Sequence, residues 1–187
     1  MLGGTFDPIH LGHLRAAENA REALALDEVL FVPSGSPPHR TGPLSSGLDR
    51  FAMVALATGL HPAFVASDVE LSREGPSYTA DTLEELRRGR PADALFLIVG
   101  SDTFPEMPTW KDPARLFALC TVAVADRPGA AEPVLRSGSA ARVERVAGPG
   151  LAISATEVRQ RVREGRSVRY LVPEGVADYI GKRGLYR

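Results

Sequence analysis

Short apolar runs separated by longer stretches of helical spacing recur along the whole chain, and this alternation restricts the fold more than any other feature. Residues 28–33 (EVLFVP), 63–69 (AFVASDV), 94–100 (ALFLIVG) and 121–125 (TVAVA) predict strands, and 142–147 (RVERVA) predicts another. A continuous run such as LFLIV suits a strand covered on both faces, as in a parallel sheet. Between these runs, residues 11–26, 48–60, 79–88 and 113–119 place apolar side chains at helical intervals. Strand and helix repeated in this way predict an α/β fold, a doubly wound parallel sheet with right-handed crossovers. The first strand departs from the pattern. One ending at Gly3 has only Met1 and Leu2 before it, so it is truncated or starts upstream of Met1.

A length of 187 residues suits a single domain over 1–187. The formal net charge is −1, so the surface as a whole is not built to attract DNA or RNA, and any phosphate binding has to come from a local arrangement. Cys120 is the only cysteine, which excludes an intrachain disulfide and a CxxC motif; inside LFALCTVAVAD it is expected to be a buried, inert thiol. No apolar stretch approaches the roughly 20 residues of a membrane span, and no signal-peptide pattern is present. The expected compartment is the cytoplasm, without a membrane partner. No heptads or internal repeats occur, and a homo-oligomer is compatible with the sequence. Two stretches read as loops: 34–47 (SGSPPHRTGPLSSG) and the small-residue-rich 130–141.

In open α/β sheets the ligand sits at the carboxyl ends of the strands, where strand order reverses. That rule lines up residues 3–13, 33–40, 100–110 and the loop after Ala125 along one edge. The densest chemistry on it is 3–14, GGTFDPIHLGHL. Gly3 and Gly4 let backbone approach a ligand. His10 and His13 follow at i and i+3, near the start of a helix and on one face of it. A helix start presents unpaired N–H groups and a positive dipole end, both favourable to phosphate. Gly12 leaves room for a nucleotide. The alternative is a capped helix with two incidental histidines. Neither GxGxxG nor a Walker A loop is present.

GGTFDPIHLGH resembles the (T/H)xGH signature of the nucleotidyltransferase superfamily, which implies a Rossmann-like fold and transfer of an adenylyl or cytidylyl group. The superfamily's second signature, ISxTxxR, is matched by Ile153, Ser154, Thr156 and Arg159, roughly 140 residues later. Ser154 can cap a helix over 155–164, with Glu157 completing a capping box, while Arg159 can reach the β- and γ-phosphates. VPSGSPPHR, PSYTADTL, LIVGSD, PTW and the ending YLVPEGVADYIGKRGLYR resemble the bacterial nicotinate-mononucleotide adenylyltransferases, in the same order and over essentially the whole chain.

That resemblance implies ATP and nicotinate mononucleotide as partners. It implies catalytic roles for His10, His13 and Arg159, and an ATP site of Gly3, Gly4, Thr5, Phe6, Gly12, Gly100, Asp102, Ile153, Ser154 and Thr156. Trp110, the only tryptophan, would stack on the pyridine ring; core filling is the alternative. Backbone near Thr79 and Lys111 would hold the nicotinate carboxylate. Asp102 would accept a ribose hydroxyl, or else cap the following turn. His39 and Arg40 would close over phosphates, or else lie on an exposed loop. Asp126 and Arg127 line the adenine side more weakly. Mg²⁺ would ride on the ATP phosphates, with no protein metal ligand assigned. Asp7 reads as a turn residue, Asp81 as an exposed first-turn charge and His61 as a surface turn. Competing readings are a superfamily enzyme acting on phosphopantetheine or glycerol phosphate, a silent nucleotide-binding module, and a fragment of a class I tRNA synthetase. The PPHR and PTW elements, the retained His13 and Arg159, and the missing KMSKS-like loop count against them in turn.

Overall fold

The computed structural model describes residues 1–37, 45–129 and 142–187; the predicted loop 130–141 and part of loop 34–47 lie outside them. Among the described residues six strands form one all-parallel sheet: Leu2–Gly4 (β1), Val29–Pro33 (β2), Phe64–Ala66 (β3), Phe96–Gly100 (β4), Thr121–Ala125 (β5) and Arg142–Val146 (β6). Their order is β3-β2-β1-β4-β5-β6. The chain therefore builds outward from β1, returns to its other side at β4, and builds outward again. β1 and β4 flank the point where strand order reverses, and Leu2 pairs with Ile98 across it.

Two layers of helix cover the sheet: Leu11–Ala23 (α1), Gly47–Thr58 (α2), Ala155–Arg163 (α5) and Glu174–Arg183 (α6) on one face, Thr79–Gly89 (α3) and Pro113–Leu119 (α4) on the other. Strand periodicity divides the LFLIV run between them. Ile98 joins Phe31, Ala17 and Val176 on the first face, while Leu97 and Val99 join Leu83 and Leu116 on the second. Burying side chains of this size stabilises by roughly 1.5–3 kcal/mol each, and both faces of β4 collect it. Cys120 is buried against α4, and burial pushes its thiol up to about 11, so it is the inert core thiol its setting implied. No described helix is long and apolar enough to cross a membrane.

Several boundaries differ from the sequence expectation. The first strand does run short, as three residues ending at Gly4. β3 covers only Phe64–Ala66, because the chain turns at Asp68, whose carbonyl takes the Leu71 N–H. α1 stops at Ala23 rather than Leu26: Ala25 adopts φ 48°, and the Leu26 N–H turns back to the Arg21 carbonyl. α6 occupies a stretch that the sequence marks only as a family-like ending; Gly184, at φ 64°, closes it.

The strand-end loops are fastened by Arg50, a side chain on α2 only 2% exposed. Its guanidinium donates to the carbonyls of Thr5 (2.9 Å), Ser45 (3.2 Å) and Gly35 (3.3 Å), joining the loops after β1 and β2 to the start of α2. Arg50→Met keeps much of the volume but strands those carbonyls. It is expected to cost about 3 kcal/mol or more, seen as a lower urea midpoint at unchanged slope.

Candidate active site

The loop from β1 into α1 is pinned from three sides. Arg50 holds the Thr5 carbonyl, Tyr186 Oη donates to Asp7 Oδ1 (2.7 Å), and Arg159 Nη1 donates to the Asp7 carbonyl (2.7 Å). Phe6, at φ 50°, and Ile9 are buried beneath it. Asp7 is thus structural as expected, though buried rather than merely a turn residue. His10 is the N-cap of α1 and not a residue of its face; His13 sits three positions on. Their rings stack at 3.6 Å, and the edge of Phe6 meets His13 at 5.1 Å.

The His10 backbone N–H donates to His13 Nδ1 (3.2 Å). With Nδ1 accepting, the His13 proton resides on Nε2, which makes Nε2–H a fixed donor. Burial lowers His13 well below the usual histidine range, helped by the neighbouring His10 and Arg127. Burial, and then Arg127, lower His10 to about 4. Both rings are neutral at pH 7. Gly12 is closely packed: a Cβ there would lie 3.0 Å from His10 Nδ1 and 3.4 Å from the Leu151 carbonyl oxygen, so a side chain would press His10 aside by a few tenths of an ångström.

The second signature lies directly against the first. Ser154 Oγ caps α5 by accepting the Glu157 N–H (3.1 Å), while Glu157 itself is exposed. Arg159 donates to Thr156 Oγ1 (3.2 Å) as well as to Asp7, so its guanidinium ties the two signatures together.

A cleft of about 420 Å³ opens between the carboxyl ends of β1 and β4. Gly3, Gly4, Thr5 and His13 form one end; Thr79, Trp110 and Lys111 form the other; Gly100, Asp102 and Arg127 lie between. Trp110 is half-buried after the 3₁₀ turn Phe104–Thr109; it lines the cleft and also packs against the edge of the second core. Lys111 Nζ lies 3.9 Å over the Tyr78 ring. Thr79 is the first residue of α3, so the first-turn N–H groups of that helix sit at this end. A Cβ on Gly100 would overlap the Asp102 carboxylate as that side chain now lies, so glycine here lets Asp102 fold back over the end of β4.

Arg127 has a more central place than its weak expectation. Its guanidinium donates to Asp102 Oδ2 (3.0 Å) and the Ile153 carbonyl (3.1 Å), and its N–H to Ser101 Oγ (3.0 Å). It borders the main cleft, the groove of about 300 Å³ along Ile153 and Ser154, and a hollow of about 50 Å³ among Gly12, Asp126 and Leu151. Asp126 accepts from Arg145 (3.2 Å). His39 and Arg40 lie outside the described residues.

Asp81 is an acidic residue of the first turn of α3 as expected, but it is half-buried and pairs with Arg115. His61 lies in the surface turn expected of it, stacks on Phe64 at 3.9 Å and lies 3.2 Å from Glu18. Sequence reasoning missed Glu70, Ser77 and Tyr78 in the cleft wall. Ser77 and Tyr78 fall inside PSYTADTL, but Glu70 follows a three-residue strand in a turn, and no periodicity marks it.

The depressed histidines make stability depend on pH. Unfolded, each binds its proton near pH 6.5; folded, His10 does so only near 4. The unfolded state therefore holds more protons between those values, and stability falls as pH drops from 6.5 toward 4. For His10 alone the loss amounts to ~3 kcal/mol. His10→Asn is expected to flatten this slope relative to the parent chain, read by urea unfolding at pH 7, 5.5 and 4.

Residues 1–161 match the model of the "Cytidylyltransferase-like" family. A Thermus thermophilus protein named "Probable nicotinate-nucleotide adenylyltransferase" is 48% identical over 100% of this chain and 98% of its own length. Proteins of the same name from Geobacter metallireducens and Pseudomonas fluorescens are 43% and 46% identical, each over 100% of this chain and 96% of their own length. In fold the chain is similar to the Plasmodium falciparum nicotinic acid mononucleotide adenylyltransferase complexed with NaAD. The TM-score is 0.81 at 18% identity, covering 99% of this chain and 95% of that one. With both signatures meeting at the β1–β4 switch point, the chain belongs to the nicotinate-nucleotide adenylyltransferases of the cytidylyltransferase-like family.

Proposed function

We propose that the chain transfers the adenylyl group of ATP to nicotinate mononucleotide, giving nicotinate adenine dinucleotide and pyrophosphate on the way to NAD. The observation that carries this reading is the single cleft that joins the His13 donor at the start of α1 to Trp110 and the start of α3. One end suits phosphate. The other offers an indole face for a cationic ring, with a lysine and helix N–H groups for a carboxylate.

A phosphate oxygen of the mononucleotide attacks the α-phosphorus of ATP in line, forming one P–O bond as the bond to pyrophosphate breaks. The nucleophile is already an anion at pH 7, so no general base is needed, and the work is positioning and charge stabilisation. His13 Nε2–H and the first-turn N–H groups of α1 serve the transferring phosphoryl oxygens, with His10 behind them. Arg159 and the start of α5 serve the departing phosphates, and Arg127 is placed to join them. Asp102 lines the same cleft and takes a ribose hydroxyl. Mg²⁺ would enter on the ATP phosphates and neutralise the leaving pyrophosphate. That role needs no carboxylate cage, because Mg²⁺ keeps water and substrate phosphate oxygens as ligands.

Pyrophosphate release with ATP and Mg²⁺ should be fast with nicotinate mononucleotide and much slower with nicotinamide mononucleotide, phosphopantetheine or glycerol phosphate. Silence with both mononucleotides would overturn the reading. His13→Ala is expected to lower kcat by about 10²-fold or more while the protein stays folded. Trp110→Ala should chiefly raise KM for the mononucleotide, by about tenfold, and leave KM for ATP close to the parent value.

A further inference from the structure

We propose that Glu70 is a positioning residue for the pyridine nucleotide, acting through Thr82 to fix the first turn of α3 and so the choice between a carboxylate and a carboxamide on the ring. The inference rests on the functional reading above, in which that turn receives the nicotinate carboxylate.

Glu70 is 5% exposed, and among the described residues its Oε2 has no hydrogen-bond partner. A buried carboxylate oxygen left unpaired is costly, so this residue is poorly explained by stability. Its other oxygen explains it better. Thr82 Oγ1, on the fourth residue of α3 and 0% exposed, donates to Glu70 Oε1 at 2.7 Å. The same hydroxyl accepts from Arg73 Nη2 at 2.9 Å, and Arg73 Nη1 continues to Glu85 Oε2 at 3.1 Å. One hydroxyl, with one proton to give and lone pairs to receive, is thus held between an anion and a cation from the segment preceding the helix. This clamp sits one turn from Thr79, whose residue lines the cleft beside Trp110 and Lys111.

The preceding segment is itself fixed. Ser77 Oγ accepts the N–H groups of Gly35 (2.9 Å) and Ser36 (3.1 Å), and a Cβ on Gly35 would overlap the Glu70 carbonyl. Glu70 therefore has little freedom to follow the helix if it shifts. Backbone N–H groups discriminate a carboxylate from a carboxamide only while their direction is fixed, because the amide presents a donor where the carboxylate presents an acceptor. A loosened first turn would accept both.

The test compares the parent chain with Glu70→Ala, Glu70→Gln, Thr82→Val and Thr82→Ser. It measures steady-state kinetics with each mononucleotide, and nicotinate mononucleotide binding through the fluorescence of Trp110, the only tryptophan. Glu70→Ala and Thr82→Val should raise Kd and KM for nicotinate mononucleotide by about tenfold, and lower the preference for it over the nicotinamide form by a similar factor. KM for ATP and kcat should stay within about twofold of the parent. Glu70→Gln and Thr82→Ser, which keep the Thr82 hydroxyl bond, should restore most of the preference. If Glu70→Ala fails to fold, the isosteric Thr82→Val and its Thr82→Ser control decide the matter. Unchanged preference in folded variants, or parallel losses for ATP and the mononucleotide, would overturn this inference alone. A parent chain inactive with both mononucleotides would overturn it together with the functional reading.

Discussion

A buried guanidinium governs the catalytic edge of this molecule. Arg50 reaches from α2 to three carbonyl oxygens on separate loops, and burial pulls its pKa below the ordinary arginine value. A planar fork with five donors can satisfy several backbone acceptors at once, which neither water nor a lysine could do here as economically. The path of the loop after β1 depends on that arrangement. With Thr5 fixed, Phe6 can enter the core, His10 can cap α1, and the two signatures can meet at the β1–β4 junction.

On the proposed function, the site built on this frame receives phosphate without much net charge. The whole chain stands at −1, and the two histidines at the centre are kept neutral by burial and by Arg127. The donors that reading relies on are directed N–H groups: the ring of His13, the start of α1 and the capped start of α5. Full positive charge enters from Arg127 and Arg159, both already engaged with oxygen atoms of the protein. Such a site offers donors whose direction is set before substrate arrives, and preorganised donors cost no rearrangement during reaction.

The sequence made the fold class legible because LFLIV and TVAVA are apolar on both strand faces, which suits few architectures other than a covered parallel sheet. The signatures were legible because glycine, histidine and helix-start patterns are local. Trp110 could be expected in a loop because its neighbours Pro108, Thr109, Lys111 and Asp112 break helical spacing, and it does line the cleft. What stayed hidden depends on separation along the chain. The bonds from Arg127 to Asp102 and Ile153 join segments about 25 residues apart. Arg50 spans 45 residues to Thr5. Glu70 gains meaning only beside Thr82. No pattern of period two or 3.6 records such contacts, and a charged residue in a loop reads as solvated until its partner is known.

The hydrogen bond between Tyr186 and Asp7 joins positions 179 residues apart. Tyr186 follows closely on α6, which packs against α2. A bond that closes so long a stretch of chain costs more conformational entropy than a local one, though that cost grows only slowly with length. The shape of the signature loop is therefore tied to a helix remote from it in sequence, and loosening α6 from α2 would release one of the three anchors of the loop that carries His10 and His13.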